Sequence, residues 1–385
     1  MFLVPAAIVA CTVRYPDSII SRTFLLSGER LDTWFASLSD SFGVAGPILP
    51  YFIVLLVIMT ATCIHESGHW VAGKFAGFKF KAMTLGALQI VPIAGHIWFR
   101  LQARNIGRAE TLMEINSMEQ VRVKLALYVL AGPFANLTSC FAIAGLLWLA
   151  PIGLSPGLLL PLQGLAWYSA SVFVLNLVPF RTWYGNFNDG ARLWMLFTGS
   201  RNAQRWVNNI ALGIKSRGGA RAKEWDAASL EFSASIADNT QDDLLSCWFA
   251  YCGANDRDDA EKAAAYLERS LAACGIAAES FRQTLVLEAA VFHAWFRNDA
   301  EKAQRWLQRS SKAGDPWSLP RLRVSIALNW ADGNFVEAMK GWEEAMIRIR
   351  AMPPGPVRDM HCNSWQEWKQ QMTQKRESGS PLKRP

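Results

Sequence analysis

Residues 125–180 contain no charged side chain, and a second uncharged run covers residues 44–64. Crossing the hydrocarbon layer of a bilayer takes about 20 apolar residues at a rise of about 1.5 Å each. The run at 44–64 is long enough for one span. The run at 125–180 is too long for one, and it breaks at Pro151-Ile152-Gly153-Leu154-Ser155-Pro156-Gly157, where proline and glycine interrupt a helix. Three membrane-spanning helices are therefore expected, at about 44–76, 124–150 and 158–179. Charge concentrates after about residue 200, so a membrane half followed by a water-soluble half is the simplest account of a 385-residue chain that is 51% hydrophobic overall.

The first uncharged run ends in His65-Glu66-Ser67-Gly68-His69. Two histidines four residues apart lie one above the other on a helix, so both imidazoles can reach one metal ion. Neutral imidazole suits Zn²⁺, and Glu66 lies beside the pair as a candidate base for a metal-activated water. A helix that is apolar on all sides is an unusual place for such residues. Ionisable groups at bilayer depth are costly and mark a functional site by default. Catalytic zinc keeps three protein ligands and one open position. Asp189 is the only acidic residue between Glu119 and Glu224 and follows the third span, which makes it the candidate third ligand. Aspartate is also a good N-cap for a helix beginning near Ala191.

Between the first two spans, residues 78–100 alternate in the manner of a short strand pair, with breaks at Gly86 and from Pro92 to Gly95. Residues 101–120 are polar and expected to be partly helical. Eight basic residues from Lys74 to Lys124 separate the first two spans, and the 151–157 turn has none. By the positive-inside rule the metal-motif end and the C-terminal half face the cytoplasm. The net charge of +7 suits an anionic membrane face rather than nucleic acid, because no run of Lys and Arg alternates with aromatics on one element. The seven cysteines are scattered without a C-x-x-C pair and read as free thiols of a reducing compartment. Residues 1–13 are apolar but too short to span, and 1–43 is expected as an N-terminal segment, interfacial in part. In the polar half, Asp259-Ala260-Glu261-Lys262-Ala263 recurs as Asp299-Ala300-Glu301-Lys302-Ala303 and more loosely as Phe335-Val336-Glu337-Ala338. This spacing resembles tetratricopeptide-like repeats over 201–352, a surface for a cytoplasmic protein partner. The alternative is a generic helical bundle. The remainder, 353–385, is expected as a tail, disordered from Gln374.

Three pieces together resemble the site-2 protease family of intramembrane zinc metalloproteases: the histidine pentad, Gly132-Pro133-Phe134-Ala135-Asn136, and Asn176-Leu177-Val178-Pro179 followed by Asp189-Gly190. Their order on three consecutive hydrophobic helices is similar to that family's core and covers about 44–200. Pro179 and Asp189 are ten residues apart, a longer gap than the family usually has. The resemblance implies a mainly α multi-pass core of about three spans with a short β-hairpin, holding Zn²⁺ at His65, His69 and Asp189 with Glu66 as catalytic base. It implies a membrane-embedded protein substrate and residence in a bacterial cytoplasmic membrane. The hairpin would meet substrate near Gly95 and His96, the latter facing substrate rather than binding metal. Asn136 and Asn176 would orient substrate or stabilise an oxyanion, although amides in apolar helices also serve as interhelical hydrogen bonds. A zinc-binding membrane scaffold without turnover is the competing reading, and the intact Glu66 argues against it.

Overall fold

The computed structural model describes residues 48–377 except 94, 150–153, 183–184 and 311–317, together with the isolated positions 33 and 36. The expected N-terminal segment 1–43 lies outside the described residues apart from those two positions. The chain divides into two compact units, Met1–Arg181 with Phe187–Thr198, and Thr182–Asn186 with Gly199–Pro385.

The first unit is built on α1 (Leu49–Phe75), α2 (Val121–Leu149) and α3 (Pro156–Leu177). All three are long and apolar enough to cross a membrane. Their apolar side chains point outward as much as inward: Tyr51, Phe52, Leu55 and Leu56 on α1 and Leu127, Phe141 and Leu149 on α2 are exposed. An exposed apolar surface of this extent is unfavourable in water. Between the helices lie small and polar residues, among them Ala61, Asn136, Ala144, Ala166 and Ser169. A Cβ added at Gly68 would overlap the Ala131 carbonyl oxygen and lie 2.8 Å from Ala135 Cβ, so α1 and α2 approach backbone to backbone at the pentad.

Four antiparallel strands, β1 (Lys79–Leu85), β2 (Leu88–Ile93), β3 (His96–Leu101) and β4 (Ala109–Glu114), form one sheet in the order β3-β2-β1-β4. The stretch expected as a strand pair, residues 78–100, instead supplies three strands of a four-stranded sheet, β1, β2 and nearly all of β3. Residues 101–120, expected as polar and partly helical chain, supply an edge strand, and their helical content between β3 and β4 is the single turn Ala103–Asn105. Strand β4 is written in residues of weak strand preference, and pairing with β1 in the register Met83 with Thr111 overrides that preference. The other edge, β3, exposes Ile97, Trp98, Phe99 and Leu101. After α3, the helix α4 (Asp189–Thr198) completes the unit.

The second unit is helical: α5 (Arg201–Arg217), α6 (Ala227–Ala234), α7 (Gln241–Asp256), α8 (Ala260–Ala272), α9 (Glu279–Trp295), α10 (Ala300–Arg309), α11 (Leu319–Ala331), α12 (Phe335–Arg350) and α13 (Pro356–Glu377). The turns ahead of α8, α10 and α12 share a backbone design. Asp258, Asn298 and Gly333 have φ of 58°, 50° and 77°. Asp259 and Asp299 then cap α8 and α10 by accepting from the amides of Lys262 and Lys302. Ala263, Ala303 and Ala338 are each fully buried, so the second helix of each pair rests closely on its neighbours. Residues 353–377 are not a tail, and the chain is helical past Gln374. Trp365, Trp368 and Met372 follow helical spacing on α13, and Trp365 and Met372 are buried in a cluster with Trp295 and Trp342. The Trp342 indole donates to the Trp365 carbonyl at 2.8 Å.

Candidate metal centre

Helix α1 buries His65, Glu66 and His69 together near its C-terminal end. The Nε2 atoms of His65 and His69 are 3.2 Å apart. Asp189 Oδ2 lies 3.0 Å from His65 Nε2 and 3.5 Å from His69 Nε2. A tetrahedral cation with bonds of about 2.0–2.1 Å has ligand–ligand edges of about 3.3–3.4 Å. The three atoms make a triangle of that size, and they form a group able to hold a metal ion. Two imidazole nitrogens facing one carboxylate oxygen at these distances need a shared cation or shared protons. His69 Nδ1 is 2.8 Å from the Tyr128 carbonyl, which accepts its N–H, so in the neutral ring Nε2 carries the lone pair that a cation needs.

The site is walled by α2 at a glycine. A Cβ on Gly132 would overlap His69 Nε2 and stand 2.9 Å from His65 Nε2, so the backbone of α2 occupies the space beside both imidazoles.

Asp189 reaches the pair because a different residue caps its helix. Asn188 Oδ1 accepts from the amides of Ala191 and Phe180, each at 3.0 Å, while Nδ2 donates to the carbonyls of Val178 at 2.8 Å and Asn176 at 3.2 Å. One side chain thereby starts α4 and ties it to the C-terminal end of α3, leaving the Asp189 carboxylate for the histidines. The long gap after Pro179 does not displace it, because Arg181 and Phe187 pair as a β-bridge across it. Asn188→Ala is expected to lower the unfolding free energy of the purified protein by about 1–3 kcal/mol, through a lost cap and orphaned carbonyls. Thermal unfolding in detergent measures this, and metal retention should weaken with it.

Glu66 is buried beside the ligands, and its Oε2 accepts from the Thr111 hydroxyl on β4 at 2.7 Å. Asn136 is fully buried one turn beyond Gly132 on the same face of α2, and neither of its amide atoms has a partner among the described residues. Such an orphan fits a site that receives a further polar group. Asn176 Nδ2 donates to the Val172 carbonyl of its own helix at 3.1 Å. Gly95 has φ +83° in the turn between β2 and β3. His96 is exposed at the start of β3, paired with Ile93, and lies outside the His–His–Asp group.

Thr111, Tyr128 and Asn188 escape sequence reasoning. The signal for Asn188 was present as an Asn-Asp pair, since both residues cap helices well. Thr111 and Tyr128 had none, because their roles depend on a strand pairing and a helix contact remote in sequence. No protein-family model, no curated protein and no solved structure matches this chain.

Proposed function

We propose that the chain is a zinc-dependent intramembrane endopeptidase of the kind its motifs resemble, the site-2 proteases. The observation that carries this reading is the edge-sized triangle of His65, His69 and Asp189 with a carboxylate, Glu66, beside it on a helix long enough to cross a membrane. Two imidazoles and one carboxylate suit Zn²⁺, and three protein ligands leave the open position of a catalytic site. Bound there, Zn²⁺ supplies Lewis acidity, bringing the pKa of water down to about 7.

The protein's own groups would do the rest. Glu66 would take the proton of the attacking water on its carboxylate and return it to the leaving amine. Asn136 would donate from its orphaned amide to the carbonyl oxygen of the scissile bond. Burial of His65, Glu66 and His69 would exclude bulk water and strengthen each of these interactions. A substrate helix hides its peptide bonds in its own ladder, so it must unwind locally, and a strand edge of the sheet would receive the unwound segment. The metal end and the helical unit would face the cytoplasm, with the paired helices acting as a tetratricopeptide-like surface for a protein partner.

The test is reconstitution of the full chain in lipid vesicles with a peptide carrying one membrane span. Cleavage is expected within or beside that span, with loss on chelation and recovery on adding Zn²⁺, read by mass spectrometry of the products. Stoichiometric zinc without cleavage would replace this reading with the zinc-binding scaffold.

A further inference from the structure

We infer that Thr111 is a positioning residue for Glu66, so that the base is held from the β-sheet and not by its own helix. This rests on the protease reading above and adds to it the group that fixes the base.

A glutamate on a helix can adopt several rotamers, and fixing it costs side-chain entropy of the order of the largest side-chain values. Nothing on α1 provides that restraint through a hydrogen bond to the carboxylate. Thr111 Oγ1 lies 2.7 Å from Glu66 Oε2 and 3.0 Å from the Glu66 backbone carbonyl. A hydroxyl has one hydrogen, and the shorter contact, to a carboxylate, is the stronger acceptor. Oε1 makes no hydrogen bond among the described residues. One oxygen is therefore held and the other is left for the proton transfer.

Thr111 is itself fixed on three sides. It is buried, it is paired with Met83 in the β1–β4 ladder, and its β-branched side chain is stiff at χ1. Its carbonyl accepts from the Tyr128 hydroxyl, and the carbonyl of Tyr128 accepts from His69 Nδ1. A chain of contacts thus runs from Glu66 through Thr111 and Tyr128 to His69, joining the base and one metal ligand through two other elements. The sheet's two edges differ accordingly: β3 is exposed and apolar, whereas β4 reaches into the site.

Valine has the shape and strand preference of threonine without the hydroxyl, and serine keeps the hydroxyl without the branch. Thr111→Val is expected to keep full metal content and a KM near wild type while kcat falls about 10- to 100-fold, the value of a hydrogen bond to a charged group. Thr111→Ser is expected to recover most of that loss. A readout independent of turnover is the infrared carboxylate band that disappears in Glu66→Gln. That band should shift in Thr111→Val and return in Thr111→Ser. Wild-type kcat in Thr111→Val with an unshifted band would overturn the inference, as would loss of metal in Thr111→Val, which marks a structural role. If wild type itself does not cleave, the protease reading alone fails. The band then still decides whether Thr111 holds Glu66: a shift supports the assignment and an unmoved band removes it.

Discussion

Glu66→Gln is expected to bind metal as wild type does and to lose turnover by about 10²- to 10⁴-fold, the range that general acid–base catalysis contributes. The amide keeps the size of the carboxylate and can still accept the Thr111 hydroxyl, so the fold has no reason to change. What it lacks is a lone pair basic enough to take a proton. The ligand variants should fail in the opposite order. His65→Ala, His69→Ala and Asp189→Ala each remove one corner of the triangle, whose edges are 3.2, 3.0 and 3.5 Å. Changing an outer partner of a metal ligand already costs about 10- to 100-fold in affinity, and removing a ligand itself costs more. Metal analysis of the purified proteins, run beside the cleavage assay, separates the two classes. Loss of metal in Glu66→Gln would move that residue from base to ligand. Full metal in Asp189→Ala would mean that two histidines suffice or that another group completes the set.

The parts of this site that a reader of the sequence could see are those whose geometry is local or whose chemistry is rare in context. His65 and His69 are one helical turn apart, so their convergence needs only a helix. Asp189 stands out because no other acid occurs over a hundred residues of apolar and basic chain. The three long apolar helices are visible because the uncharged runs 44–64 and 125–180 supply most of their length. What stays hidden depends on partners far away in the chain. Ala109-Glu110-Thr111-Leu112-Met113-Glu114 is rich in residues that favour helices, and only β1 makes it a strand. Thr111 cannot be connected to Glu66 without that pairing. Asp189 and Asn188 compete for the same role on paper, and the hydrogen bonds assign the cap to Asn188. Helix α13 was obscured in another way: Trp365, Trp368 and Met372 make a narrow apolar stripe in a segment otherwise rich in charge and amide groups, so composition points to a solvated tail while spacing points to a helix.

Gly132→Ala is expected to abolish metal binding although it adds one methyl group in the middle of a helix. At an ordinary helical position the change from glycine to alanine stabilises by roughly 0.5–1 kcal/mol, because alanine loses less backbone entropy on folding. Gly145, on the same helix, is such a position, since an added Cβ meets nothing within 4 Å. At Gly132 the new atom would overlap His69 Nε2 and stand 2.9 Å from His65 Nε2, the two imidazole atoms of the proposed metal centre. Relief requires α2 to move away from α1, which gives up the close backbone packing at Gly68 and Ala131, or the imidazoles to turn. Turning His69 would break its bond to the Tyr128 carbonyl. Either route separates the ligands, and overpacking of this kind costs about 1–3 kcal/mol in stability as well. Metal content and thermal unfolding of Gly132→Ala and Gly145→Ala, measured together, form the test. Gly145→Ala should keep its metal and unfold no earlier than wild type, and Gly132→Ala should lose the metal by at least about 100-fold in affinity, more than a typical outer-partner change. Equal metal binding in the two variants would place the cation away from the face of α2 and would remove the proposed centre from the space between the helices.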